Sequence, residues 1–316
     1  METEPRVISI SRRTDIPALH SAWLAARIAA GWVAYANPFT RRPVLVNLAP
    51  EAVRALVFWT RNPHPLLPLL DDIDARYARR HYLHLTITGM DRRFETHGPT
   101  VRSALLAAES LARRYGPGYV QWRFDPIIVS DRTPVNEVLG RFGGLCGRMA
   151  GLTTRCTVSF LDAYRGAIGH LDRAGIIVDP DYVSGAADDL VPQVRLLGQL
   201  RDIAAEHGIT VQTCTEDAPG ALTAGVWRGR CIDPDLLAAM APGPPLADQP
   251  SRDGCGCVAS VDIGAYDSCS HGCLYCYANR SPTGARANTL TFRREGFPLD
   301  DLSPRSAGES GEGAWR

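Results

Sequence analysis

The chain has 316 residues, 45% hydrophobic and 22% charged, with a formal net charge of zero, so it has the profile of an ordinary globular protein and no general attraction to polyanions. All 34 basic residues are arginine. With no lysine for a Schiff base or a phosphate loop, pyridoxal-phosphate and Walker-type nucleotide chemistry are excluded. The first residues lack a basic start followed by an apolar run, and no stretch reaches the ~20 apolar residues of a membrane span, so the expected setting is the cytoplasm, with no membrane partner.

Residues 7–11 (VISIS) read as a strand and 19–30 as a helix. Further strands are expected at 56–60, 81–88, 119–124, 155–161 and 209–214, on their β-branched and aromatic content. Helices are expected at 100–115, 135–149 and 186–207. About six β-α units in succession imply an α/β fold, and residues 6–217 read as a TIM-barrel-like, partial β/α barrel.

Polar residues follow these strands: Arg12, Arg13, Thr14 and Asp15 the first, Arg61 and Asn62 the second. Arg123 and Asp125 follow the fourth, Asp162 the fifth and Glu216 the sixth. In a β/α barrel those positions form the active-site mouth, which makes Arg12, Asp15, Arg123 and Asp125 candidate catalytic residues. Loop starts are polar in any fold, so the pattern alone does not assign a role.

Beyond about residue 219, Gly, Pro and Cys become frequent, and the run Pro242-Gly243-Pro244-Pro245 marks a turn or linker. Residues 218–290 form an expected Cys-rich iron–sulfur segment, and 291–316 an expected disordered tail. In a reducing compartment, clustered cysteines point to metal or redox chemistry rather than disulfides. Cys269, Cys273 and Cys276 have the spacing C-x3-C-x2-C. Clusters that only carry electrons normally have four cysteines; three leave one iron open for a substrate or cofactor. Zinc is the alternative occupant, with His271 or Cys257 as fourth ligand. Cys214, Cys231, Cys255 and Cys257 form a possible second set for a cluster or zinc, or pack as small apolar side chains. Cys146 and Cys156 fall in apolar patterns and are expected in the core.

The C-x3-C-x2-C spacing, with Tyr275 just before the last cysteine, resembles the radical SAM superfamily, and the string HGCLYCYAN resembles its spore photoproduct lyase branch. Over residues 6–280 the chain resembles the DUF1848 proteins, through VISISRRTDIPA, FWTRNP, QWRFDPI, CID and CGCVASVDIGAYDSCSHGCLYCYAN. The radical SAM resemblance implies a [4Fe–4S] cluster on Cys269, Cys273 and Cys276. It also implies reductive cleavage of S-adenosylmethionine, hydrogen abstraction from a substrate not identified by the sequence, and an electron donor such as a flavodoxin or ferredoxin. Asp262, Tyr275 and Asn279 flank the cysteine loop and are candidate cofactor-binding residues. In most radical SAM enzymes the motif follows the first barrel strand. Here it follows every expected strand, so the C-terminal loop is expected to fold back over the mouth and face residues 11–15. The competing reading is a structural zinc or iron–sulfur protein that contacts nucleic acid through its arginine-rich loops.

Overall fold

The structure, a computed structural model, describes residues 4–187, 189–214, 218–250, 254–295 and 297. Glu216 and most of the expected tail lie outside the described residues. The strands are β1 (Arg6–Ile10), β2 (Trp32–Ala36), β3 (Pro43–Asn47), β4 (Val53–Thr60), β5 (His81–Thr86), β6 (Val120–Ile127), β7 (Arg155–Asp162), β8 (Val183–Ser184), β9 (Thr210–Thr213), β10 (Trp227–Arg228) and β11 (Val261–Asp262). The helices are α1 (Ile16–Leu19), α2 (Ser21–Ala30), α3 (Leu70–Tyr77), α4 (Val101–Tyr115), α5 (Val135–Met149), α6 (Arg165–Arg173), α7 (Val191–Ala205), α8 (Ala218–Thr223), α9 (Pro234–Met240) and α10 (Pro282–Glu295).

Nine strands form one sheet in the order β10-β9-β7-β6-β5-β4-β1-β11, with β8 on β7. Every pairing in it is parallel. Strands buried on both faces read as continuous apolar runs, and β4 is buried along nearly its whole length. The helices cover the sheet. On α5, Val138, Phe142, Leu145, Cys146 and Met149 form the buried stripe, and Phe142 stacks on Trp122 of β6 at 5.4 Å. Cys146 and Cys156 are fully buried there, as expected.

Starting from β1, each new strand of the sheet is laid beside the previous one, apart from the short β8, until β11 returns to the other side of β1. The chain is therefore a mixed α/β protein with a parallel central sheet, and the described pairings form an open path from β10 to β11.

Several local expectations change. The helix at 19–30 is split: Asp15 caps α1 by accepting from Ala18 N–H, and His20 leaves helical geometry at φ −136° before α2 begins. Strand β6 runs on to Ile127 past Pro126, with an irregular register where proline offers no donor. Helix α7 starts at Val191, with a proline in its first turn. The antiparallel hairpin β2–β3 had no expected counterpart. Among the described residues no helix is long and apolar enough to cross a membrane.

His81 on β5 is buried. Its Nε2 meets Asp74 at 2.7 Å and its Nδ1 the Tyr119 hydroxyl at 2.9 Å, which suits the neutral ring donating from Nε2. Burial pushes the imidazole pKa below 6.5 despite the nearby Asp74 carboxylate. Below pH ~6.5 the unfolded chain then takes up a proton that the folded chain refuses, so stability falls as pH drops, by at most ~1.4 kcal/mol per pH unit from this group. Urea midpoints measured between pH 7.5 and 5 should decline, and His81→Gln should decline less steeply. Equal slopes in the two proteins would exclude His81 as a source.

Candidate metal centre

The cysteine loop is positioned by the first strand. Strand β11 pairs with β1 through Ile8–Val261 and Ser9–Asp262. The buried Asp262 carboxylate then accepts from Ser9 Oγ at 2.9 Å, Ser11 Oγ at 2.5 Å, Arg12 N–H at 2.8 Å and Gly264 N–H at 3.0 Å. A Cβ at Gly264 would collide with the Ser11 side chain, so only glycine permits this turn. Beyond it the chain enters residues 269–276.

The loop is closed on itself and clamped from two sides. Asn279 Nδ2 donates to the Cys269 carbonyl at 2.8 Å, and Cys276 N–H to the Cys273 carbonyl at 3.2 Å. On one side, Asp15 Oδ2 meets His271 Nε2 at 2.8 Å and accepts the Arg61 N–H at 2.8 Å. On the other, His97 N–H donates to the His271 carbonyl at 2.8 Å and Leu274 N–H to the Phe94 carbonyl at 2.9 Å. Gly272 has φ +70°, and a Cβ there would lie 3.3 Å from that of Thr96.

Beneath the loop is a buried polar knot. Arg61 forms an ion pair with Glu95, and its Nη1 donates to the Tyr275 hydroxyl at 3.0 Å. That hydroxyl and the Thr88 hydroxyl each donate to Glu95 Oε1 at 2.5 Å. Tyr275 is therefore bonded through its hydroxyl to the loops that follow β4 and β5, Asn279 supports the loop from behind, and the Asp262 carboxylate is filled by protein donors. Glu95 was not singled out from the sequence, where it reads as an ordinary loop acid.

A cavity of about 1300 Å³ opens above the C-terminal ends of the sheet strands. Cys269, Cys273 and Cys276 line it, and so do Cys214, Cys231, Cys255 and Cys257. Of the strand-end candidates, Arg12, Asp15, Arg61, Arg123, Asp125 and Asp162 also reach it. Arg123 pairs with Asp125, whose other oxygen accepts from Ser159 Oγ. Arg13 donates to the carbonyls of Asp262 and Gly264 at 3.4 and 3.3 Å. The indole of Trp59 lies beneath the guanidinium groups of both Arg12 and Arg123, at 5.9 and 5.4 Å.

The loop brings three cysteines to the cavity wall. All three of its cysteines are free thiols. Among the described residues, no group of His, Cys, Asp or Glu side chains is already gathered around a single ion. A tetrahedral zinc–thiolate site needs its sulfurs about 3.8 Å apart, given Zn–S bonds of ~2.3 Å. In a cubane each thiolate binds a different iron, so its sulfurs stand further apart. Burial pushes the Cys273 thiol up to about 12 despite the adjacent Arg61, and raises Cys269 and Cys276 as well. Metal entry must therefore displace protons from the thiols.

Fold and site together define a parallel α/β protein with seven cysteines around one cavity. The family model for the domain of unknown function DUF1848 matches residues 7–278, and the chain belongs to that family. No curated protein matches it.

The Arg61–Glu95 pair generates a stability test. Glu95→Ala leaves the Arg61 charge buried without its partner and should cost ~3–5 kcal/mol. The Arg61→Met/Glu95→Leu double variant should cost clearly less, because no lone charge remains. Urea unfolding of the three proteins measures this, and a double variant as unstable as Glu95→Ala would contradict it.

Proposed function

We propose that this protein is a radical SAM enzyme whose [4Fe–4S] cluster is held by Cys269, Cys273 and Cys276. The observation that carries the reading is the placement of these three thiols, and no fourth from the same loop, on the wall of a large cavity that also receives the strand-end polar residues. When bound, the cluster would supply the electron that breaks a carbon–sulfur bond of S-adenosylmethionine and releases the 5'-deoxyadenosyl radical.

The protein's own residues would orient and enclose. Asp15 and the Arg61–Glu95–Tyr275 knot hold the loop in register with the sheet, which makes them positioning residues. Arg123 and Asp125 stand free of the loop on the cavity wall and are the candidate substrate contacts. Tyr277 offers a flat face in the same cavity, suited to an adenine or another planar group.

We read the sheet as a β/α barrel in which β10 and β11 adjoin. Residues at the C-terminal ends of strands from both edges line one cavity, and Val258 N–H, just before β11, donates to the Ile232 carbonyl, just after β10, at 3.2 Å. The cysteine loop then follows the last strand of the ring and reaches the mouth from there. A flavodoxin or ferredoxin would deliver the electron. The nucleic-acid alternative is less well supported, because Arg12, Arg13 and Arg61 direct donors to acceptors within the chain.

Reconstituted, reduced protein given S-adenosylmethionine without substrate should slowly form 5'-deoxyadenosine and methionine. Cys276→Ala is the control for free iron and dithionite. Equal 5'-deoxyadenosine from both proteins, with the wild-type cluster shown intact and reducible, would refute the assignment.

A further inference from the structure

Four cysteines remain outside that loop, and they come from three separate places in the chain. Cys214 follows β9, Cys231 follows β10, and Cys255 and Cys257 precede β11. Their side chains nevertheless meet. Cys231 Sγ lies 3.5 Å from Cys214 Sγ and also contacts Cys257, which in turn contacts Cys255. Chance packing of cysteines from three segments does not explain what surrounds them. Backbone and side-chain donors already point at the sulfurs: Ile232 N–H at Cys257 Sγ (3.3 Å), Cys257 N–H at Cys255 Sγ (3.5 Å) and Arg123 Nη1 at Cys231 Sγ (2.8 Å). The Cys231 carbonyl is fixed from β5 by the Tyr82 hydroxyl at 2.7 Å and His84 Nε2 at 2.8 Å. All four cysteines line the cavity described above.

We propose that Cys214, Cys231, Cys255 and Cys257 hold a second iron–sulfur cluster, closed by four thiolates, in the wall of the same cavity. Cys214 and Cys231 form one close pair, and Cys257 contacts both Cys231 and Cys255. A two-iron cluster binds its thiolates as one close pair on each iron, and Cys214/Cys231 and Cys255/Cys257 supply two such pairs, whereas a single zinc, the alternative, would hold no sulfide. A cluster puts bridging sulfides between its irons and takes ligands in spaced pairs. Donors to cluster sulfurs tune reduction potential, and the Arg123 cation is placed to do so. With every iron bound by cysteine, this centre has no position for S-adenosylmethionine, so its chemistry is electron storage or transfer beside the substrate space.

This inference rests on ligands that do not overlap those of the proposed function, and the experiment separates the two. Protein is prepared without oxygen and reconstituted with ferrous iron and sulfide. The Cys269→Ala/Cys273→Ala/Cys276→Ala variant should keep ~2–4 irons per chain with matching acid-labile sulfide, show visible cluster absorbance, and form no 5'-deoxyadenosine. Adding Cys255→Ser and Cys257→Ser should remove that iron while far-UV circular dichroism stays unchanged. In the otherwise native chain, Cys255→Ser/Cys257→Ser should keep the loop's cluster. In the triple variant, Arg123→Gln should shift the remaining cluster to a more negative potential. An iron-free triple variant that is still folded, zinc in place of iron and sulfide, or a Cys214–Cys231 disulfide in the anaerobic protein would each overturn the proposal. Wild-type protein that holds both clusters yet fails to cleave S-adenosylmethionine would refute only the proposed function.

Discussion

The buried carboxylate of Asp262 holds the last strand against the first. Two hydroxyls and two backbone N–H groups donate to it, and the Arg12 guanidinium stands 3.6 Å away. Hydrogen bonds to an ionised group contribute ~1.5–3 kcal/mol each, and here they substitute for ladder bonds that a two-residue strand cannot provide. Because β11 is fixed in this way, the loop that follows it emerges over the strand ends. Remove the carboxylate, and neither the cavity wall nor the position of Cys269 is defined.

A second constraint acts from below. The loop after β5 pairs with the cysteine loop at Glu95 and Cys273, while Arg61, Glu95 and Tyr275 satisfy one another out of water. A buried ion pair of this kind adds little net stability but penalises any other arrangement, since a displaced partner leaves a bare charge inside. Its value to the site is therefore geometric. It fixes the height of Cys273 above the sheet.

Much of the sheet was legible in the sequence. The six expected strands exist because strands buried on both faces write themselves as short β-branched and aromatic runs, as in LVFWT and HYLHLTIT. Strands β10 and β11 were not legible, since two residues carry no periodicity, and with them went the recognition that a strand immediately precedes the cysteine loop. Helix α10 was hidden for a related reason: its sequence has no apolar stripe, yet it is helical through Glu295. The three loop cysteines were visible because they lie within eight residues of one another. Glu95 was invisible because its partner Tyr275 is 180 residues away in the chain, and the roles of Asp15 and Asp262 depend on equally remote contacts. Spacing reveals ligands that share a loop; it does not reveal the groups that hold the loop in place.

The junction of Ser9 with Asp262 spans 253 residues, and it has a consequence for how the molecule comes into being. Loop closure over such a span is entropically costly and comes late in folding. On the ribosome, β1 is made before the other described strands and waits as an exposed sheet edge until β11 has emerged. The thiols at 269–276 are synthesised after every strand of the sheet. They thus join a sheet whose strands are already made, and the first strand is protected from pairing with other molecules only when β11 arrives to cover it.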